Sequence, residues 1–535
     1  MLKKKIFKIC MLILFIISCP VLTFVISNGE ENNLIFIGCI ISEIFAIYIG
    51  IKYLKNIKYE PKILFISFLI AIYTDKILGI KPYTVTVVKN ILFKICDCEF
   101  LDTTIIKILS IMSIPALAIF VYFFIKLIVV RVKEEIIKFS KIEKIYLILS
   151  MVVGLSIATI IGHYTTAFYV PYTKENNTLC NYDVIYTSDN GIIAGGDAYA
   201  NINHPENDIR QPLFGIFALP FGIVGHFFSE LLFFLPNASY AIVMAAIQFV
   251  LIAIIIIMLA RMLKINEKCK GIFYLLFLVS APYLVFSFCL EQYVIGLFYV
   301  VLTIYINLCK EDEVNYSYIG ATGTLLTSGV LFPLISKSTK ISKVCINILK
   351  CFIVFVAITC IGGQFPQFAD VDKINVLLNN YSGSVSVIDK IRQFFVFVKS
   401  TLFLPRGEII LDGSFYAYRL IQPEYISKTG ICIVLFVIFS FIINRKEKLA
   451  KVCSLWVVFS VFILAIIGWG AYENGMILYS LYFSWAYVCL IYMGINKVIK
   501  NHIAINICIS GMIIFMLVVN IPELVNIIKF ALLHY

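Results

Sequence analysis

The chain consists almost entirely of apolar runs about twenty residues long, joined by short polar links, and few architectures accept that pattern. Such runs match the roughly 30 Å hydrocarbon core of a bilayer when wound as helices. In lipid each backbone N–H and C=O must be satisfied within its own segment, so the spans are expected to be helical. Hydrophobic residues make up 61% and charged residues 14% of the 535 positions, with a mean hydropathy of +0.96, which excludes an ordinary soluble domain. The net charge of +12 lies in short basic clusters between the runs, the pattern that sets membrane topology rather than a nucleic-acid footprint. Most of the sixteen cysteines, including Cys10, Cys39, Cys289, Cys432 and Cys489, sit inside apolar runs and read as small core residues. Cys96-Asp97-Cys98 is the one close pair and a weak metal signal.

Basic flanks orient the runs. Lys3, Lys4 and Lys5 place the N-terminus in the cytoplasm, with Met1 to Ser27 as an anchor rather than a cleaved signal. Four spans then fill a 1–144 N-terminal region and end in the basic link RVKEEIIKFSKIEK. A core region, 145–363, carries a long polar loop outside, 168–211. Basic clusters at 261–270 and 337–343 belong inside. That assignment works only if 212–235 and 316–336 do not fully cross, and prolines and glycines break both. The first is therefore expected as an interfacial helix. A second exterior loop, 364–428, with its apolar stretch 393–404 resting on the membrane, precedes C-terminal spans over 429–535. The expected fold is an all-α polytopic bundle of about thirteen spans in a cell membrane.

This topology collects polar material outside. The loop 168–211 holds Glu175, Asp183, Asp189, Asp197, Glu206 and Asp208 against Lys174 and Arg210, and is rich in Gly, Asn and Asp. Two aspartates stand in turn-like settings: Asp189 in TSDNG is the candidate general base, and Asp197 in GGDAY is the second candidate. Either is equally readable as a turn-forming residue in a solvated loop. The pair could also share a divalent cation; the DxD pattern itself occurs only in the second loop, Asp370-Val371-Asp372. Arg210 suits a phosphate, since guanidinium matches its oxygens; an interfacial anchor is the other reading. His204 reads first as a loop histidine and second as a substrate contact. Glu291 and Glu473 stand at the ends of apolar spans, where a carboxylate either faces a cavity or reaches water. The cytoplasmic links are too short for a nucleotide-binding domain, and no Walker motif is present.

Four stretches carry a family resemblance: IRQPLFGIFALP at 209–220, APYLVFSFCLEQY at 281–293, GATGTLLTSGV at 320–330 and GWGAYENGMILYSLYFSWA at 468–486. In their order, with the acidic first exterior loop, the chain resembles the GT-C superfamily of integral membrane glycosyltransferases, which includes protein O-mannosyltransferases and lipid A aminoarabinose transferases. Gln211 stands where that family commonly has His or Pro, and four spans precede the loop where many members have one. The resemblance implies an inverting sugar transfer on the exterior face. The donor would be a polyprenyl-phosphate sugar and the acceptor a glycan, lipid or protein, with a loop carboxylate as base. Two other classes share these features: a transporter or flippase for a lipid-linked substrate, and a polysaccharide polymerase or ligase.

Overall fold

A computed structural model describes residues 60–78, 125–165, 184–188, 190–195, 197–201, 208–232, 239–286, 288–309, 317–336, 340–361, 371–383, 385–412, 415–472 and 474–535, with 44, 48, 114, 118, 121, 122, 168, 169, 204 and 368 as single positions. The chain forms two compact units interleaved in sequence. One comprises Met1–Phe139, Ala200–Leu219 and Cys345–Asp370; the other comprises Ser140–Tyr199, Pro220–Val344 and Val371–Tyr535.

In the first unit, helix α1 (Pro61–Leu78) and a π-helical turn, Ile125–Val129, leading into α2 (Val130–Ile137) are tied by an ion pair between Lys126 and Glu60. The other expected spans of the 1–144 region, and the Cys96–Cys98 pair, lie outside the described residues.

The second unit begins with α3 (Lys141–Tyr164), started by a capping box in which Ser140 and Glu143 satisfy each other's backbone N–H groups. The short α4 (Asn190–Gly195) follows in the first polar loop. Helix α5 (Phe214–Leu231) runs from one unit into the other, and α6 (Ser239–Met262) is almost wholly buried. Next come α7 (Glu267–Leu278), α8 (Ala281–Phe286) and α9 (Tyr293–Cys309). Helix α10 (Ser317–Thr324), a 3-10 segment Leu326–Leu331 and α11 (Phe332–Ile335) precede α12 (Ile341–Ile361), which from Cys345 onward is counted in the first unit. Then follow α13 (Val371–Ser382), α14 (Val387–Ser400), the hairpin β1 (Gly407–Asp412) and β2 (Phe415–Leu420), α15 (Lys428–Asn444) and α16 (Lys448–Ser460). The chain ends with α17 (Ser480–Val498) and α18 (His502–His534).

Among the described residues, six helical stretches are long and apolar enough to cross a membrane: α3, α5, α6, Lys448–Ile467, Gly475–Val498 and α18. α3 packs against α6 where Gly154 leaves room for the ring of Phe249; a Cβ there would fall 1.8 Å from that ring. Small residues let apolar helices approach in this way without a hydrophobic driving force.

The fold is mostly helical, as expected, with one addition: 407–420 forms an antiparallel hairpin pairing Ile409 with Tyr418. Within 364–428 lie α13, α14 and this hairpin. Details of other expected elements differ. The apolar stretch 393–404 is the second half of α14, capped at its start by Ser386. Helix α5 continues through Pro220 rather than breaking there; a proline removes one hydrogen bond, and an apolar helix packed on neighbours tolerates that loss. The run 271–288 is two helices, α7 and α8, rather than one span, and 316–336 is broken at Leu325. The last helix extends past 521 and through Pro522 to His534.

Links expected on one side of the membrane meet. Arg261 at the end of α6 grips Glu143 at the start of α3, Nη2 to Oε2 at 2.8 Å and Nε to Oε1 at 3.2 Å. Lys270 Nζ and the Tyr274 hydroxyl each reach Glu143 Oε1 at 3.4 Å. Asn506 Nδ2 donates to Lys268 O at 3.1 Å, and Lys448 Nζ to Ser336 O at 3.0 Å. A buried carboxylate without its partner is costly. Arg261→Met should therefore destabilise the chain by about 3 kcal/mol, the low end for such pairs because Lys270 remains. Thermal unfolding of the purified protein would show the loss, and an unchanged midpoint would refute it.

Candidate functional site

The polar segments of the second unit converge on one end of its helices. Residues 184–186 add a short parallel pairing to β2: Tyr186 N donates to Tyr418 O at 2.9 Å and Tyr418 N to Val184 O at 2.8 Å. The turn that follows is closed by Ser188 N on Ile185 O and strained, with φ of 49° at Tyr186 and 66° at Thr187. Thr187 then touches the turn after α16. There Gly475 is required, since a Cβ would stand 2.7 Å from Thr187 Oγ1. Asn190 Oδ1, at the start of α4, accepts from Leu290 N at 2.6 Å. The turn at 469–472 is held by Tyr381 O, which accepts from Gly470 N and Tyr472 N, and by Gln393 Nε2 on Ala471 O.

Asp197 is the carboxylate this framework places most definitely. Helix α4 ends with Ala198 N on Ile193 O (2.9 Å) and Asp197 N on Ala194 O (3.3 Å), and Asp197 has φ of 50°. These are the two bonds and the left-handed residue of a Schellman ending, with aspartate where glycine is usual. Its side chain is then gripped twice. Oδ2 lies 2.6 Å from His226 Nε2 on α5, and Oδ1 accepts from the Tyr240 hydroxyl at 2.5 Å on α6. The His226 and Tyr240 rings stack with centroids 4.4 Å apart. The histidine and aspartate side chains are 29% and 25% exposed, so the dyad is partly open at the surface of the protein. Among the described residues His226 Nδ1 has no hydrogen-bond partner.

Tyr199, two residues on, is fully buried. Its hydroxyl donates to the backbone oxygen of Glu291 at 3.1 Å and meets the Gln248 amide at 3.3 Å. Gln248 is oriented for this by its NH2 donating to Phe286 O (3.0 Å) and Cys289 O (3.2 Å). Burial, with the charges of Glu291 and Asp197 nearby, pushes the Tyr199 hydroxyl well above the usual tyrosine range.

The one Tyr199 hydroxyl proton is thus shared between two acceptors, Glu291 O at 3.1 Å and the Gln248 amide oxygen at 3.3 Å, and Tyr199 links the Asp197 turn to the Glu291 segment. Asp189 and Glu473 lie outside the described residues, although both neighbours of each are placed. Arg210 and His204 belong to the first unit, where Arg210 Nη2 and Nε both donate to a single Asp208 oxygen, Oδ2, at 2.6 Å, and His204 is buried. Asp370 of the DxD pattern is likewise outside, and among the described residues no three metal-ligating side chains group together. Sequence reasoning overlooked His226 and Tyr240. The signal for His226 was available, since an ionisable residue inside an apolar run marks a functional site by default. Tyr240 looked like an ordinary interfacial tyrosine.

Compared with protein-family models, curated proteins and solved structures, the chain matches none of them.

Tyr199 generates a pH prediction. Its hydroxyl holds a proton more tightly in the fold than in the unfolded chain, where a tyrosine titrates near pH 10. Above that pH the unfolded state binds fewer protons, so stability falls as pH rises. Denaturant unfolding should weaken from about pH 10 upward, less steeply in Tyr199→Phe. Identical pH dependence in both proteins would contradict the assignment.

Proposed function

We propose that this protein is a membrane-embedded, inverting glycosyltransferase of the GT-C kind, with about thirteen crossings. It would take a sugar from a polyprenyl-phosphate donor at the exterior end of its helices. The carrying observation is the Asp197–His226 dyad, held rigidly by Tyr240 and partly open at the surface of the protein.

The proposed chemistry would use this geometry as follows. An acceptor hydroxyl or amine gives its proton to His226 Nδ1 as its heteroatom bonds to the anomeric carbon. The bond from that carbon to the phosphate oxygen breaks, and the electron pair leaves with the polyprenyl phosphate. Asp197 keeps the imidazole in the tautomer whose Nδ1 accepts, and its charge stabilises the imidazolium that forms. Asp189, in the same loop, remains a candidate partner for the acceptor. Supporting the membrane setting, Tyr240 and Arg261 lie at opposite ends of α6, twenty-one residues apart. At 1.5 Å per residue that separation is about 30 Å, the thickness of a hydrocarbon core. The links gathered at the Arg261 end are basic and those at the Tyr240 end are not, which favours the Arg261 end as cytoplasmic.

Purified protein given radiolabelled polyprenyl-phosphate monosaccharides should transfer or release sugar. Asp197→Asn and His226→Gln should each lower turnover by about 10²–10⁴-fold, the usual contribution of a positioned base, with folding intact. Full turnover in both variants would remove the dyad from the mechanism. Movement of lipid-linked sugar between leaflets without any transfer would replace this reading with a flippase.

A further inference from the structure

Glu523 is a buried carboxylate in the apolar helix α18, placed directly after Pro522. A carboxylate in such a helix is expensive unless buried donors hold it there. One of its oxygens, Oε1, accepts from two groups of the hairpin, the Tyr418 hydroxyl at 2.6 Å and Gly407 N at 2.8 Å. Tyr186 gives its hydroxyl proton to Pro405 O at 2.7 Å, and its oxygen lies 3.4 Å from the same carboxylate oxygen. Lys399 and Arg406 contribute the nearby positive charge. Tyr186 opens the strained turn whose other end leads through α4 to Asp197. Left-handed backbone at a bulky and a β-branched residue persists only where the surroundings over-determine it.

We infer that Glu523 is a positioning residue. By holding Tyr418 and Gly407 at the base of the hairpin on one oxygen, it fixes the strand to which 184–186 is paired, and with it the 184–188 turn and where the loop presents Asp197. The inference rests on the reading of that loop as the working surface. Asn520, one turn earlier, acts elsewhere, binding Leu404 N, Leu402 O and Val279 O and touching neither segment.

The test is hydrogen exchange on the full chain in lipid nanodiscs, with Glu523→Ala, Glu523→Gln and Asn520→Ala. Glu523→Ala should speed exchange about tenfold at 184–188 and 407–420, the effect of losing bonds to a charged acceptor, and leave α3 and α6 protected. Glu523→Gln retains an acceptor oxygen and should restore most of the protection; Asn520→Ala should leave 184–188 unchanged. Where sugar transfer is measurable, Glu523→Ala should lower kcat without raising the donor KM. Unchanged exchange in Glu523→Ala, exchange raised evenly along the chain, or a rise in KM alone would each overturn the inference. Localised exchange in a protein that transfers no sugar would uphold the lock and discard the glycosyltransferase reading.

Discussion

The Glu143–Arg261 ion pair sets the frame in which the rest of the second unit is built. It joins the start of α3 to the end of α6, where the basic links pass into the apolar lengths of both helices. Desolvating such a pair costs free energy, and geometry this good, with Lys270 and Tyr274 beside it, offsets the cost. The bond fixes the axial register of two long helices against each other. A slip by one turn would strand a charge, whereas apolar contacts alone would tolerate it. With that register set, the opposite end of α6 puts Tyr240 where Asp197 needs a donor.

At that opposite end the chain stores strain rather than relieving it. Of the five non-glycine positions with positive φ among the described residues, Tyr186, Thr187, Asp197 and Asn474 all lie in the converging polar segments. Backbone of this kind is kept only by surrounding contacts, and here those come from elements far apart in sequence: α5, α6, the hairpin and α18. The result is a histidine–aspartate pair held by contacts from α5 and α6. Fixed partners of this kind are the preorganisation that the proposed transfer would need.

Much of the helical frame was legible in the residues. Apolar runs of span length became helices wherever they are described, and the pairing of basic links at 141–144 with 261–270, and at 336 with 448, agrees with their common charge. The hairpin was missed, although its six-residue strands flank Asp412-Gly413, a turn signal between β-forming runs. What the residues could not show is that Tyr418 pairs with 184–186 and with Glu523. Asp197 could be singled out as an aspartate in a glycine-rich loop. His226 could not be linked to it, since twenty-nine residues and an apolar run separate the two.

What the sequence by itself determined is the class of molecule: a basic, strongly apolar chain must bury its backbone in helices, and its charged links must lie between them. What only the tertiary structure decided is which polar groups work together. Partner choice among buried polar side chains depends on angstrom-scale distances between helices, and those distances come from the packing of Gly154 against Phe249 and the Glu143–Arg261 register, contacts far apart in the chain. A local pattern of residues carries no record of them.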